Sequence, residues 1–589
     1  MMIPALPARE NASGGLILSI QSVIRIARAV APLVAALTLF GCAAHAAPMP
    51  FTSGGAKLPL RMSSVSRSGA TETRFTLAKP VSIGDSGTAF ILEYLPAIGG
   101  RSLRLDLGSG PEGTDTQKPI DATLPGSGGS AATRPMELQV PLPAGMSLKG
   151  FTLSGGEGEL TTALRASGIA PLEPGIALSP TLFRISDGFT YVSDDASNDG
   201  AHDRLEQVSF PAVTKRILTE HPGDQVQAVV SYTFDQASAA ASGSVELAVS
   251  SAGETRSFRL TQNPGKHAVY LYTASLGFSP DAVKITSNDP QFHLAGVQVR
   301  AFEPSALPAD TPIPADLGTV LTYTPRDWRK SDYELFSWSL FPSVLVFDFR
   351  NYDVQGRFLS RLAYFVEKKG FAGTLLTNQE LGNLHGWNAH DYRPQDIARF
   401  YQTAAVEHFR LRPEEIELRG VLQKRGVIKQ AFGAWQPGSG AIISIAQSSW
   451  AGLRYLLLTH EATHGIYFTT PKYREDVGSI WESIGPQEQL FWRLFLGSQE
   501  YNTGDNYLVV NEFQAYLMQQ TLAQVDARYK NWAIGNIEKL VPRNAPELEA
   551  MMSRNPLIFL DTAKKLDGAL YRDAGVHAGE LVTLQPIRP

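Results

Sequence analysis

Cysteine is all but missing: the chain has one, Cys42, in 589 residues. A chain with one cysteine forms no internal disulfide, and any zinc ligands in its folded domains must come from histidine and carboxylate. Thiol catalysis is excluded for the mature domains, and a disulfide-free chain is compatible with an oxidising envelope. A surplus of charge is missing as well. Lys and Arg number 52 against 57 Asp and Glu, a net charge of -5. No basic stripe or arginine-rich run is present, so no nucleic-acid partner is expected. No apolar run is long enough to span a bilayer.

The apolar run that is present, Ala29 to Phe40, follows Arg25 and Arg28 and precedes small residues. That pattern reads as a bacterial-type secretory signal over residues 1–46. Two exits are open. Ala44-His45-Ala46 resembles an A-x-A cleavage site. Leu39-Phe40-Gly41-Cys42 resembles a lipobox, with Cys42 as the lipid attachment point and Phe40 as a departure from the pattern. The expectation is an exported protein of the cell envelope, periplasmic or lipid-anchored, or a secreted one.

A chain of this length is expected to hold two to four domains. Residues 47–303 are rich in Gly, Ser, Thr, Ala and Pro, with short alternating apolar runs between turn clusters. They read as antiparallel strands without a helix of ordinary length. Two all-β domains are expected, 47–170 and 171–303, the second a β-sandwich. His293 to Val299 is similar to the last strand of jelly-roll carbohydrate-binding modules, which implies glycan contact through the β-domains. Asp194, Asp195, Asn198, Asp199 and Asp203 read as a solvated acidic loop. Pro304, Pro308, Pro312 and Pro314 mark residues 304–319 as an interdomain linker.

Residues 320–589 alternate strand and helix patterns and read as an α+β domain. Ser343 to Phe349, Thr374 to Leu376, Glu417 to Leu422, Gln430 to Trp435 and Ala441 to Ala446 are strand candidates. Arg357 to Lys368 and Pro394 to Phe409 have helical spacing. Between them, Leu384 to Tyr392 packs His385, Trp387, Asn388, His390 and Asp391 into one loop. Trp387, Asn388 and His390 are candidate substrate contacts, Trp387 by stacking and His390 by a hydrogen bond. A second metal site and a loop pinned by its own hydrogen bonds are the other readings.

The chemistry concentrates in His460-Glu461-Ala462-Thr463-His464. Trp450, Leu453, Leu456, Leu457, His460 and His464 keep helical spacing, with Ser448 or Ser449 as the expected N-cap. Residues four apart share one helix face, so the two imidazoles point at a common centre. Two nitrogens supply half of a tetrahedral site, and Glu461 stands beside it to accept a proton from an activated water. With this histidine and glutamate content the pattern arises by chance in roughly one chain in a hundred.

This H-E-x-x-H motif resembles the zincin metallopeptidases. The lack of a close third histidine sets it apart from the metzincins, and a glutamate on a second helix makes it gluzincin-like, although the long gap from His464 to Glu512 departs from that pattern. The resemblance implies zinc held by His460, His464 and a glutamate. Glu512, in Asn511-Glu512-Phe513-Gln514-Ala515, is the leading third ligand and Glu482 the alternative. The resemblance also implies a hydrogen-bond donor for the developing oxyanion, chosen among Tyr501, Tyr507 and Tyr516, with Tyr516 the candidate on the face of Glu512. It further implies that Ala441 to Ala446 is a sheet edge pairing with an extended peptide. The expected function is hydrolysis of peptide bonds in a protein or peptide substrate, with Glu461 as general base. Two rivals stay open: an envelope glycan- or protein-binding lipoprotein with an inactive zincin-like scaffold, and a zinc amidase acting on cell-wall peptides.

Overall fold

The computed structural model describes residues 51–587, apart from 54–55, 68–69, 85–86, 110–117, 127–133, 156–159, 195–202, 236–242, 383, 385 and 387. The expected secretory signal, Cys42, Trp387, His385 and most of the acidic loop lie outside the described residues. No described helix is long and apolar enough to cross a membrane.

The chain is β-rich at first and mixed later. Three sheets dominate up to Phe302. A five-stranded antiparallel sheet has the order Leu60–Arg67, Ala70–Ser82, Met146–Ser154, Ser102–Ser109, Ile120–Thr123. A ten-stranded sheet joins strands from both sides of Ala170, so the boundary expected there is not a break. Its centre is the parallel pair Met136–Leu142 and Phe183–Ser186. Leu164–Pro171 runs across the expected boundary and pairs with Thr88–Tyr94. One apolar core, from Phe51 through Phe151 to Val299, serves all of it. Sequence patterning marks each strand but not its partner, because pairing is a long-range choice.

The expectation of no ordinary helix here is corrected by Pro211–Glu220, which buries Val213 and Ile217. Phe292–Phe302, the strand with the jelly-roll likeness, lies inside the ten-stranded sheet between Gln225–Phe234 and Gly175–Leu178.

The proline-rich segment is docked rather than free. Ile313–Ala315 pairs in parallel with Phe336–Trp338 at a sheet edge, the position where a strand proline such as Pro314 is tolerated. Ile313, Ala315 and Leu317 are fully buried. Asp316 caps the helix Leu317–Thr322 by accepting from Thr319 N at 3.0 Å. At the other end of the chain, Leu584–Pro586 returns to pair with Glu254–Leu260 of a six-stranded sheet. A Cβ on Gly318 would meet Leu584 O at 1.9 Å, so this close approach requires glycine.

The later half is built on a five-stranded sheet. Its order is Ile313–Ala315, Tyr333–Trp338, Val344–Phe349, Ala441–Ala446, His390–Tyr392. Val344–Phe349 and Ala441–Ala446 are parallel, and every residue in both is buried, as a strand covered on two faces requires. Ala441–Ala446 is therefore not the edge. The three-residue strand His390–Tyr392 covers it, antiparallel, with His390 opposite Ser444 and Asp391 opposite Ile443. Thr374 to Leu376 is not a strand, and Glu417 to Leu422 lies in the helix Pro413–Lys424. Gln430 to Trp435 spans the turn of a hairpin, Ile428–Ala431 with Ala434–Pro437.

One face of this sheet carries Tyr352–Val366 and Pro394–Val406. The other carries Ala451–Thr469, with Pro471–Ser483, Pro486–Ser498, Asn506–Met518 and Ile558–Ala574 behind it. Asp348 of the central strand receives two hydrogen bonds from Arg454, both 2.9 Å, with the carboxylate fully buried. This pair ties the motif helix to the sheet. Asp348→Ala strands a buried guanidinium and is expected to cost about 3–5 kcal/mol, read as a lower urea midpoint.

Glu488 is a second buried charge with a different consequence. Burial raises its carboxyl to about 7 from 4.5, opposed by the nearby polar groups of Thr562 and Trp492 and the charge of Lys565. The fold thus binds this proton more tightly than the unfolded chain does. Its contribution to stability is complete below 4.5 and is lost as pH rises to about 7. At about 1.4 kcal/mol per tenfold change in proton affinity, ionisation costs the fold on the order of 3 kcal/mol. Glu488→Gln is expected to exceed the parent in stability by that order above neutral pH, with the gain vanishing in acid. Urea midpoints of both proteins across this range check it.

Candidate metal centre

The motif helix, Ala451–Thr469, starts without the serine cap expected of it. Trp450 occupies the N-cap with no side-chain hydrogen bond. Ser448 Oγ instead accepts from Tyr352 N, and Ser449 bonds the Tyr352 hydroxyl. The helix is buried through its second half, from Leu458 to Tyr467. Directly after the motif, a Cβ on Gly465 would lie 3.0 Å from Val344 Cγ1, so the helix rests hard on the sheet there.

His460 and His464 point their Nε2 atoms at one place, 3.1 Å apart. Glu512 reaches the same place from the helix Asn506–Met518, with Oε2 3.4 Å from His460 Nε2 and Oε1 3.6 Å from His464 Nε2. Bonds of about 2.0–2.1 Å to a tetrahedral ion put ligand atoms about 3.3 Å apart. The three side chains could hold a metal ion, and their separations suit that geometry. Their chemistry suits it too. Glu512 Oε2 is buried without a hydrogen-bond partner, and burying an acceptor unpaired costs free energy that a bound cation removes. The alternative ligand Glu482 is exposed on Pro471–Ser483, outside this cluster.

Outer partners orient the ligands. Gln519 Oε1 is 3.1 Å from His460 Nδ1 and accepts from it when Nε2 is the bare nitrogen. Asp391 Oδ2 stands 3.6 Å from His464 Nδ1, and Asn511 Nδ2 donates to the same oxygen at 3.4 Å. A carboxylate behind a ligating histidine fixes its ring and raises its basicity. Gln519 was not singled out from the sequence, and Asp391 was named there only as one polar residue of the Leu384 to Tyr392 loop. Gln519 lies just past a helix that the sequence shows, two turns beyond Glu512. Asp391 has only the alternation of a three-residue strand, which turns it away from His390 and Tyr392.

Glu461 lies beside the triangle rather than in it. It is 4% exposed, and its Oε2 has no hydrogen-bond partner. Burial first, then the negative charges of Asp391, Glu512 and Glu367, raise its carboxyl well above the usual range. Burial likewise pushes Glu512 up to about 8, against the pull of His464. Burial drives His460 down to about 4, leaving it a neutral ligand at ordinary pH. A cation at the centre favours the ionised carboxylates and reverses their upward direction.

The centre opens on a cleft of about 210 Å³ lined by Asn388, Asp391, His460, Glu461, Tyr501, Tyr516 and Arg528, among others. The structure brings Asn388 and Tyr516 to this cleft. The Tyr516 ring lies 4.7 Å from that of His460. Tyr501 joins them, with its hydroxyl hydrogen-bonded to Glu512 and Tyr516. Tyr507 is elsewhere, under Arg393 and beside Tyr467. His390 also turns away. It is buried, bonds the Tyr392 hydroxyl at 3.0 Å, and lines a separate pocket with Ser360, Arg357 and Arg412.

No family model matches this chain, and no curated protein matches it. Solved structures with partial likeness include the glycoside hydrolase domain of Endo-D from Streptococcus pneumoniae R6, at 14% identity and a TM-score of 0.13. That likeness covers 38% of this chain and only 36% of the other's length. Allantoicase from Saccharomyces cerevisiae is 9% identical over 41% of this chain and 80% of its own, with a TM-score of 0.16. A mutant of Bacillus subtilis oxalate decarboxylase is 11% identical over 44% and 81%, with a TM-score of 0.10. Scores this low assign neither a fold nor an activity, and the site stands on its own geometry.

Proposed function

We propose that this protein is an exported, zinc-dependent metallopeptidase of gluzincin type. The convergence of His460, His464 and Glu512 carries the reading, with Glu461 buried beside them and its Oε2 unpartnered. A divalent ion there supplies Lewis acidity, making water more acidic and polarising a carbonyl. Glu461 accepts a proton from the attacking water and hands it to the departing amine. Tyr516 and Tyr501 stand where a hydroxyl can donate to the developing oxyanion, an interaction that strengthens as charge builds. Gln519 holds the His460 imidazole, and the Asp391 carboxylate stands behind that of His464. The substrate is a protein or peptide, and the edge strand beside it is His390–Tyr392 rather than Ala441–Ala446. Zinc is favoured over magnesium or calcium because two of the three ligands are imidazole nitrogens. Export rests on the leader pattern before Cys42.

The test is metal content and hydrolysis measured together. Purified mature protein is expected to hold close to one zinc per chain and to cleave unblocked peptides. Chelation is expected to abolish cleavage and lower the melting temperature. Free zinc at a hundred times its Kd should stabilise the fold by about 2.7 kcal/mol. A metal-replete preparation without zinc overturns the reading.

A further inference from the structure

Arg528 lines the metal cleft together with His460, Glu461, Tyr501 and Tyr516. Among the described lining residues it is the only arginine or lysine. It is half-buried, next to Tyr529. It rides on a π-helical stretch, Ala527–Ala533, between two α-helical segments. Such stretches give up regular hydrogen bonding and occur often at functional sites.

A guanidinium in this place opposes the site's first task. It repels a bound cation. A cation site tolerates such a neighbour when an anion comes between them. The cleft is also small, about 210 Å³, against roughly 300–1,000 Å³ for a drug-sized pocket. It suits one end of a chain better than residues on both sides of a bond.

We propose that Arg528 receives the free α-carboxylate of a C-terminal residue, so that the protein removes residues from the carboxyl end of its substrate. This rests on the metallopeptidase reading and adds the substrate class to it. The planar guanidinium offers two parallel N–H donors that match a carboxylate's two oxygens. Asn388 and Gln499 line the same cleft and add amide donors. With the terminal carboxylate on Arg528, the last peptide carbonyl lies toward the metal ligands and Glu461. Water adds to that carbonyl carbon, the C–N bond breaks, and the proton held by Glu461 goes to the amine of the released amino acid. A terminal carboxylate comes from two sources, an ordinary peptide ending in an L-residue or a cell-wall peptide ending in D-alanine.

The experiment uses zinc-loaded mature protein and matched tripeptides, each as free acid and as C-terminal amide, ending in L- or D-alanine. Free acids are expected to be cleaved about 10–100-fold more efficiently than amides, the scale of a charged hydrogen-bonded contact. Arg528→Ala is expected to bring that ratio close to one with zinc content unchanged, and Arg528→Lys to restore part of it. Calorimetric binding of the intact tripeptides to Glu461→Gln protein, with and without Arg528→Ala, should show the same preference without turnover. The L- or D-alanine series that carries the preference identifies the source. Equal cleavage of acids and amides, or a preference that survives Arg528→Ala, overturns the inference and leaves the peptidase reading standing. Protein that takes up no zinc from a metal-replete preparation and cleaves no peptide overturns both.

Discussion

Glu461→Gln is expected to keep its metal and lose hydrolysis by about 10²–10⁴-fold, the usual worth of a positioned general base. Glutamine has nearly the same shape but no basic oxygen, so the cleft wall is preserved while the proton acceptor is removed. The metal survives because Glu461 is outside the His460, His464 and Glu512 triangle. Without a metal, burial and three neighbouring acids raise the Glu461 carboxyl well above the usual range, a desolvation cost that glutamine does not carry. Its fold is therefore expected to be at least as stable as the parent's. Zinc content, kcat/KM and a thermal melt on one preparation check all three points. Full activity in this variant would remove Glu461 from the mechanism.

The second large effect is expected at the third ligand. Glu512→Ala takes the carboxylate from a site where the remaining donors are His460 and His464, and near-complete loss of bound zinc is expected. Asp391→Asn and Gln519→Ala touch the imidazoles from behind, at 3.6 Å and 3.1 Å. They are expected to weaken zinc by the roughly 10–100-fold typical of such outer partners. Glu482→Ala changes an exposed side chain and is expected to change nothing. Competition with a zinc chelator orders the four proteins. Zinc retained at parental affinity by Glu512→Ala would overturn the ligand set.

The motif helix was legible because its information is local. Two histidines four apart share a face in any α-helix, and the apolar residues before them repeat with the same period. Glu512 was legible from the helical pattern around it and from the resemblance to a second, glutamate-bearing helix. Asn388, Tyr501 and Tyr516 were named from the sequence among other candidates, and the structure chose them; the rest of the cleft was not legible. Asp391 and His390 are neighbours that look alike in a loop rich in polar residues. Pairing with Ala441–Ala446 forms the strand that sends Asp391 to His464 and His390 to Tyr392. Tyr501 sits just after Glu500, whose φ is +67°, and no periodicity announces such a turn. Arg528 reaches the cleft from a π-helical stretch that the sequence does not mark.

The amino-acid sequence by itself determined the local elements: where strands alternate, where helices begin near proline, and which histidines must stand side by side. It also determined that any zinc-type ligands of the folded domains would be nitrogen and oxygen, since its single cysteine lies at Cys42. Tertiary structure alone decided the partnerships. The expected pair of β-domains shares a ten-stranded sheet and one core, the proline-rich segment became an edge strand, and the last strand returned to a sheet formed some 330 residues earlier. Strand pairing and the meeting of distant side chains depend on burying surface between segments far apart in the chain. No short stretch encodes that choice, because each strand's pattern fits more than one neighbour.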